Sequence, residues 1–162
     1  MMSNKKIITL KNLIPIVNKL KAKNKKIVTT NGVFDILHAG HVKYLENAKN
    51  LGDVLIVGVN SDNSVKQIKG TNRPINDQES RMSVLAGLES VDYVFLFNEI
   101  NPREWLSKIK TNVHVKAGDY KLNQIIEKQV VEENDGKIVI VKMLKGYSTT
   151  GLMDKIAKTY SS

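Results

Sequence analysis

Short apolar runs alternate along this chain with segments whose hydrophobic residues recur at helical spacing, and this alternation limits the possible folds most strongly. The apolar runs are KIVTT (26–30), DVLIVGVN (53–60), VDYVFLF (91–97), VHVKAG (113–118) and KIVIVK (137–142). The second is almost continuously apolar, as expected of a central parallel strand that is buried on both faces. The pattern predicts βαβ units and a doubly wound α/β fold with a five-stranded, Rossmann-like parallel sheet.

Amphipathic helices are predicted between these strands. The first contains Leu13, Ile16, Val17 and Leu20, and Pro15 fits it only within the first turn. The second shares one face among His41, Tyr44, Leu45 and Ala48. The third begins at NDQE (76–79), with Asn76 and Glu79 as a capping box, and runs to about Leu88, and the fourth has Asn101 as its cap and Pro102 as its first residue. The last two are predicted over 121–134 and from STTG (148–151) toward Lys158. Residues 61–77 are predicted to form a polar loop.

Length and composition bound the function classes. The 162 residues fit one domain over 1–162, and the absence of cysteine excludes disulfides and thiolate metal sites, as suits a reducing cytoplasm. The N-terminal MMSNKKIITL does not predict a signal peptide, and no run approaches the ~18 apolar residues of a membrane span. The net charge of +9 favours anionic partners such as nucleotides, sugar phosphates or nucleic acid, although a lysine-rich coding bias explains it equally well.

Polar clusters follow the predicted strands at their carboxyl ends. They are TTNGVFD, NSD, AGDY and LKGYSTT, after the first, second, fourth and fifth strands. Ligands of open parallel sheets bind outside the carboxyl ends of the strands, where the strand order reverses. The four clusters are therefore expected to form one site.

The first cluster holds His38 and His41, two of the three histidines in the chain. If a helix begins near Gly40, its N-terminus favours an anion, and two imidazoles add donors aimed at the same point. The arrangement suits a phosphate that gains charge in a transition state. A metal site needs a third ligand, while general acid–base chemistry and chance placement are less specific alternatives. Gly32 allows close backbone approach or a simple turn, and Asp35 holds a substrate hydroxyl or caps the loop.

This segment resembles the T-x-G-x-F-D-x-x-H-x-G-H signature of the nucleotidyltransferases of the cytidylyltransferase superfamily. The matching residues are Thr30, Gly32, Phe34, Asp35, His38, Gly40 and His41. The resemblance implies a doubly wound enzyme that joins a nucleoside triphosphate to a phosphorylated acceptor and releases pyrophosphate. It also implies that both histidines contact the triphosphate and stabilise the α-phosphoryl transition state. Mg²⁺ is expected to be bound mainly through the triphosphate, with few or no protein ligands.

The segment 61–77 carries Lys66, Lys69 and Arg73, and it is either a solvated loop or a mobile cationic strap over a triphosphate. The resemblance favours the strap, because a lysine pair of the superfamily matches Lys66 and Lys69, and it assigns Arg73 to the substrate. It also matches Arg81 to an arginine that binds phosphates, whereas its position alone fits an ordinary exposed helical arginine.

Two later clusters complete the expected site. Gly118 permits close approach of a base or ribose, and Asp119 is placed to accept from ribose hydroxyls, unless both only form a turn. Ser148, Thr149 and Thr150 match a phosphate-binding hydroxyl run of the superfamily, although Ser148 alone fits a helix cap.

Several fragments resemble the adenylyltransferases of ADP-heptose synthesis, above all NRPIN, KAGDY and GYSTT. This resemblance implies transfer of AMP from ATP to D-glycero-β-D-manno-heptose 1-phosphate, in a stand-alone form that needs a separate heptose kinase. A homodimer is expected, and Asn31 and Lys43, beside the histidines, are expected to help bind the sugar phosphate.

Other functions remain open from the sequence. Lys43 also resembles glycerol-3-phosphate cytidylyltransferases, but their arginine before the final S-T-T run is missing here, with Lys145 nearby. Phosphopantetheine-type adenylyltransferases replace the first histidine and fit less well. From another class, a basic nucleic-acid-binding module is disfavoured by a single Trp, few aromatic residues and scattered basic residues. A nucleotide-binding regulator without catalysis is disfavoured by the intact histidine pair.

Overall fold

Five parallel strands form one sheet in the computed structural model, which describes residues 5–118 and 121–160. The strands are β1 (Ile27–Gly32), β2 (Val54–Asn60), β3 (Tyr93–Phe97), β4 (Val113–Ala117) and β5 (Lys137–Val141). Their order is β3-β2-β1-β4-β5, so the direction of winding reverses between β1 and β4. The predicted doubly wound, five-stranded parallel sheet is confirmed, and its ligand crevice is expected at the carboxyl ends of β1 and β4.

Helices cover both faces of this sheet. They are α1 (Leu10–Ala22), α2 (Ala39–Lys49), α3 (Asp62–Lys69), α4 (Gln78–Ala86), α5 (Arg103–Ile109), α6 (Lys128–Glu132) and α7 (Thr149–Tyr160), with a 3₁₀ turn at Leu122–Gln124. None of the described helices is long and apolar enough to cross a bilayer.

Two apolar clusters, one on each face of the sheet, form the core. Leu55 of β2 packs with Leu45 and Leu85 on the side of α2 and α4, whereas the neighbouring Ile56 packs with Trp105 on the side of α1 and α5. Successive strand residues point to opposite faces, so the continuous apolar run of β2 supplies both clusters. All seven residues of β2 are buried, as its sequence predicted.

The proline of the first helix lies further along than predicted. Pro15 is the sixth residue of α1, beyond the first turn. Its ring nitrogen donates no hydrogen bond to the carbonyl of Lys11, which weakens the helix locally. The helix persists because Leu13 and Val17, on either side of the proline, are almost fully buried against the sheet.

Two helix caps differ from the prediction. Asp77, not Asn76, caps α4, because its carboxylate accepts from the N–H of Ser80 at 2.7 Å. The N-cap of α5 is Pro102, one residue later than predicted, and the Asn101 side chain accepts from the N–H of Arg103 at 3.2 Å. Both helices form where expected, with their first turns shifted by one residue.

Two predicted segments have a different structure. Residues 62–69 of the predicted loop form α3, which Ser61 caps through its side chain, and of its two apolar residues only Val65 is buried. The helix predicted over 121–134 is instead a 3₁₀ turn followed by the short α6. The two are separated at residues 125–127, because the side chains of Ile125 and Glu127 turn into the protein.

Candidate active site

A cleft of about 480 Å³ lies at the carboxyl ends of β1, β2 and β4, where the strand order reverses. Nine of the residues predicted for the site line it: Asn31, Gly32, Phe34, Asp35, His41, Lys69, Arg73, Thr149 and Thr150. The clusters that follow separate strands in the sequence therefore meet at one crevice, as the parallel sheet requires.

The two histidines of the signature stack on each other at the start of α2. His38 is the N-cap residue, with extended backbone, and its ring centroid lies 3.9 Å from that of His41. Phe34 holds the edge of the His41 ring from the other side, at 5.5 Å between centroids. The Nδ1 atoms of both imidazoles are buried and have no hydrogen-bond partner among the described residues.

Burial keeps both imidazoles neutral. It lowers the pKa of His41 to about 4, with a further contribution from the neighbouring His38, and burial also lowers the pKa of His38. At neutral pH each ring therefore carries one N–H donor and no charge. A bound anion would favour protonation, so the pair can strengthen its interaction as negative charge develops on a ligand.

The start of α7 lies against the start of α2. The Tyr147 ring centroid is 6.2 Å from that of His38, and Thr149 Oγ1 lies 3.4 Å from the carbonyl oxygen of Ile36, to which it donates. A Cβ placed on Gly40 would lie 3.0 Å from the His38 ring and 3.1 Å from Tyr147 Cβ, so only glycine leaves room for this contact. Two helix N-termini, both attractive to anions, thus converge on the cleft.

Asp35 fixes the chain that follows α3. Its carboxylate accepts from Arg73 Nε at 2.6 Å and from the backbone N–H groups of Ile75 and Asn76 at 2.8 and 2.9 Å. Although burial opposes ionisation, these hydrogen bonds and the Arg73 charge lower the pKa of Asp35. The Asp35 side chain is 1% exposed, so the geometry favours a role in positioning Arg73, and the substrate contact of Asp35 stays a prediction.

Arg81 is buried, in contrast to the exposed helical arginine that its position suggested. Its guanidinium donates to the carbonyl oxygens of Val33, Asn60 and Asn76 and pairs with Asp62 at 2.7 Å. These carbonyls lie on three separate segments at the rim of the cleft. The geometry therefore favours a positioning role for Arg81, and its phosphate contact remains a prediction.

The comparison with known families agrees with this geometry. Residues 29–160 match the family described as Cytidylyltransferase-like. The chain belongs to the cytidylyltransferase-like family. It is accordingly a nucleotidyltransferase, and the family predicted from the signature around the two histidines is confirmed.

Bacterial relatives cover nearly all of this cytidylyltransferase-like chain. It is 46% identical over 158 residues to the bifunctional protein HldE of Geobacter metallireducens, and the aligned region covers 98% of this chain and 32% of HldE. Identity to HldE of Actinobacillus pleuropneumoniae is 52% over 140 residues, and the aligned region covers 86% of this chain and 30% of HldE. The chain thus spans about a third of the length of the curated relatives it matches.

Solved structures show the same fold. The lipopolysaccharide core biosynthesis protein of Thermoplasma volcanium superposes with a TM-score of 0.62 at 31% identity, covering 76% of this chain and 99% of that chain. Pantoate-β-alanine ligase of Francisella tularensis also superposes with a TM-score of 0.62, covering 96% of this chain and 78% of that chain. Its sequence identity of 19% shows a shared fold alone.

Some predicted residues of this nucleotidyltransferase do not line the main cleft. The Thr30 hydroxyl is buried and contacts the Tyr44 hydroxyl at 2.7 Å. Lys43 is exposed and pairs with Glu46, and Lys66 is exposed one turn before Lys69 on α3. The roles of Thr30, Lys43 and Lys66 in ligand binding therefore stay predictions.

Gly118 and Ser148, two further predicted residues, lie next to a strand end and a helix start. Gly118 follows β4 with a φ of 116°, a left-handed value that favours glycine, and its N–H donates to the carbonyl of Val141. Asp119, predicted to bind ribose, lies outside the described residues. Ser148 accepts from the N–H of Gly151 at 3.0 Å, as a cap of α7, and its predicted phosphate contact remains open.

Sequence reasoning missed one pair in the cleft. Lys116, near the end of β4, pairs with Glu127 at 2.7 Å, and both line the cleft. A charged residue near the end of a mainly apolar strand was the available signal for Lys116. Glu127 was missed because it fell inside the helix predicted over 121–134. His114, the third histidine, is fully buried, and its Nδ1 lies 2.9 Å from the Thr29 hydroxyl.

Proposed function

We propose that this nucleotidyltransferase transfers AMP from ATP to D-glycero-D-manno-heptose 1-phosphate, giving ADP-heptose and pyrophosphate. The observation that carries the proposal is that His41, on which His38 stacks, lines one cleft together with Thr149 and Thr150 at the start of α7. Identity to HldE proteins supports an adenylyltransferase of this pathway, as does the solved relative described as a lipopolysaccharide core biosynthesis protein.

The cleft offers a separate place for a base. A smaller cavity of about 210 Å³ shares Asn31, Phe34, His41 and Lys116, among other residues, with the main cleft, and the residues that line it alone are Tyr44, Ala117 and Met143. A purine is flat and largely apolar on its faces, so this cavity suits the base better than the charged main cleft does. The triphosphate would then extend past His41 toward the start of α7.

The acceptor phosphate is proposed to bind in the main cleft near Arg73, whereas Lys69 is proposed to contact the triphosphate as part of the predicted strap. Asp35 uses only the Nε of Arg73 among the described residues, so the terminal nitrogens of the guanidinium are available for a phosphate. An in-line displacement requires the acceptor on the opposite side of the α-phosphoryl group from the leaving pyrophosphate, and this is the arrangement proposed here.

The reaction needs positioning and charge stabilisation more than a strong base. A phosphate oxygen of the acceptor, already an anion, forms a bond to the α-phosphorus while the bond to the β-phosphoryl oxygen breaks and pyrophosphate leaves with that electron pair. The imidazole N–H groups of His38 and His41 would donate to the α-phosphoryl oxygens as their charge rises.

The chain itself offers little to bind Mg²⁺. Among the described residues no group of three carboxylate, imidazole or thiolate side chains can hold a metal ion. Asp35 and Glu127, the carboxylates in the cleft, are paired with Arg73 and Lys116. The residues do not form a metal cage, and Mg²⁺ is proposed to be held by the triphosphate oxygens.

A pyrophosphate-release assay decides the proposal. ATP, CTP and GTP are each combined with heptose 1-phosphate and glycerol 3-phosphate, and ATP with heptose 1-phosphate is expected to have the highest kcat/KM. Glycerol 3-phosphate should be at least ~10²-fold less efficient, because polar groups that pair with the sugar hydroxyls would be left unpaired. A preference for CTP with glycerol 3-phosphate would refute the proposed substrates and leave the family unchanged.

The proposal extends to the cellular context. A cytoplasmic homodimer that receives its acceptor from a sugar kinase is proposed, since the acceptor is a sugar 1-phosphate and the HldE relatives are described as bifunctional. Size-exclusion chromatography with light scattering tests the dimer.

A further inference from the structure

Three ion pairs in the described part of the chain have a partner that is at most 5% exposed. They are Arg73–Asp35, Arg81–Asp62 and Lys116–Glu127. Withdrawing a charge from water costs several kcal/mol, and such pairs often stabilise a fold no better than apolar side chains would. A contribution to stability therefore does not explain why three such ion pairs lie around one cleft.

The first two pairs have a structural reason. Asp35 also holds two backbone N–H groups, and Arg81 also holds three backbone carbonyls, so both fix the chain around the cleft. Lys116 and Glu127 differ, because neither side chain has any other hydrogen-bond partner among the described residues. Glu127 precedes α6 and yet does not cap this helix with its carboxylate.

Unused hydrogen-bonding capacity is therefore concentrated at this pair. One oxygen of Glu127 and two N–H groups of Lys116 remain for a ligand. Asn31 adds a third group, since its Oδ1 is buried without a partner among the described residues and the residue lines the same cleft. Thr30 pairs with Val115 in the sheet, so Asn31 and Lys116 are the next residues along neighbouring strands.

The pair lies on the opposite face of the sheet from the imidazoles. Thr30 and the Val115 carbonyl contact Tyr44 of α2 on the face that carries His41. Side chains alternate along a strand, so Asn31 and Lys116 point to the other face. Thr29 and His114 share this second face, where His114 packs edge-on against Trp105 of α5.

We propose that the Glu127–Lys116 pair, with Asn31, binds hydroxyl groups of the acceptor sugar and sets the preference for a polyhydroxylated acceptor. The Glu127 carboxylate and the Asn31 Oδ1 accept from sugar hydroxyls, whereas the Lys116 ammonium donates to hydroxyl oxygens. This inference rests on the proposed function, since it assigns the acceptor to the wall of the cleft that faces the imidazoles. It defines Lys116 and Glu127 as determinants of specificity.

Steady-state kinetics of Glu127→Gln and Lys116→Met test the inference. Loss of a hydrogen bond to a charged group is worth ~10- to 100-fold, so KM for heptose 1-phosphate should rise by that factor. In Glu127→Gln, KM for ATP should stay within about twofold, because Glu127 lines the main cleft but not the smaller cavity proposed for the base. A rise in KM for ATP alone, or in both constants equally, would overturn the assignment to the acceptor.

The matched control is the exposed pair Lys108–Glu104 on α5, whose N–O distance is also 2.7 Å. Lys108→Met and Glu104→Gln should change neither KM. Lys116→Arg is the conservative variant and should recover most of the acceptor affinity that Lys116→Met loses, whereas no recovery would point to a merely structural role. If Glu127→Gln fails to fold by circular dichroism, the two Lys116 variants decide the outcome.

A second acceptor separates hydroxyl recognition from phosphate recognition. A hexose 1-phosphate lacks the seventh carbon and its hydroxyl, and glycerol 3-phosphate lacks most of the ring hydroxyls. The wild-type preference for heptose over glycerol phosphate should fall at least ~10-fold in Glu127→Gln. An unchanged preference would overturn the inference.

Failure of the proposed function has a different signature. If the wild-type protein prefers another acceptor, that acceptor replaces heptose 1-phosphate in the same comparison, and the inference is decided on it. If no acceptor supports turnover, the proposed function fails, and titration calorimetry with heptose 1-phosphate decides the inference. Equal binding by wild type and Glu127→Gln, or no binding at all, would overturn it.

Discussion

At the scale of single residues, the imidazole pair is proposed to carry the chemistry, and its removal should cost activity without unfolding the protein. His38→Ala and His41→Ala are each expected to lower kcat at least ~10²-fold, the usual effect of losing a donor to a developing charge. Stopped pyrophosphate assays measure the loss, and circular dichroism verifies the fold. Near-normal turnover in both variants would remove the pair from the mechanism.

The third histidine supplies the comparison for these variants. His114 is fully buried and bonds the Thr29 hydroxyl, remote from the imidazole pair on the other face of the sheet. His114→Asn should therefore lower the melting temperature while the folded protein keeps its kcat within about threefold, since no transition-state donor is lost.

Gly40 lies between the His38 ring and Tyr147, so its substitution should affect activity. In Gly40→Ala the new methyl group would lie 3.0 Å from the His38 ring and 3.1 Å from Tyr147 Cβ. Alanine favours a helix over glycine by up to ~1 kcal/mol, which offsets part of the crowding. We therefore expect kcat to fall about 10-fold, as expected when a transition-state donor is displaced, with little change in melting temperature.

Gly87→Ala is the matched control for Gly40→Ala. Gly87 follows α4 with ordinary helical backbone, and a Cβ added there would lie 3.3 Å from the carbonyl oxygen of Val84. The Gly87→Ala variant should leave kcat unchanged. A Gly40→Ala variant with wild-type kcat would show that turnover does not depend on the observed position of the His38 ring.

At the scale of elements, the segment after α3 is anchored at one end only. Residues 69–72 are exposed, whereas Arg73 and the N–H groups of residues 75 and 76 are held by Asp35. Cleavage by trypsin after Lys66 or Lys69 is expected to slow when ATP and Mg²⁺ are added, because a ligand orders this segment over the cleft. An unchanged digestion rate at saturating nucleotide would contradict the predicted strap.

Asp35→Asn should loosen the same segment. The amide keeps the size of the side chain but loses the charge and one acceptor, so the hydrogen bonds to Arg73 and to the backbone weaken. Tryptic cleavage after Lys69 should accelerate several-fold, as expected when a local opening loses about 1–2 kcal/mol of protection. Asp53→Asn is the control, because Asp53 also accepts a backbone N–H, from Lys26, but is exposed.

The sequence predicted the elements whose signal is local. Each strand lies in a short run rich in β-branched or aromatic residues, and His38 and His41 were recognised because their signature is contiguous. The helix α3 was missed because most of its eight residues are polar and only Val65 among its apolar residues is buried. The Asp35–Arg73 and Lys116–Glu127 contacts join residues that are 38 and 11 positions apart, and such pairings depend on tertiary packing that no local pattern encodes.

At the scale of the whole molecule, buried imidazoles make stability depend on pH. Burial, with a smaller contribution from the Lys116 charge, lowers the pKa of His114 from 6.5 to about 3. The unfolded chain therefore binds a proton more readily between these values, so the contribution to stability is complete above pH 6.5 and is lost as the pH falls. From pH 7 to pH 5 His114 alone should cost about 2 kcal/mol of unfolding free energy.

Urea denaturation at pH 7 and pH 5 measures this effect. His114→Asn, which retains a partner for Thr29 but does not titrate, should be less stable at pH 7 and should show a flatter pH dependence. His41 contributes in the same direction because its pKa is also lowered, so the slope should decrease without vanishing. A slope in His114→Asn equal to that of the wild type would contradict the assignment.

The partly buried ion pairs around the cleft have a consequence for how the protein responds to salt. The Debye length shrinks from about 8 Å at physiological ionic strength to about 3 Å at 1 M, which screens exposed charges such as that of Lys69 far more than buried pairs. Concentrated potassium chloride should therefore raise the KM for ATP while Asp35–Arg73, Asp62–Arg81 and Glu127–Lys116 keep the empty cleft in shape. High salt would act on this enzyme as a competitor for its ligands, not as a denaturant.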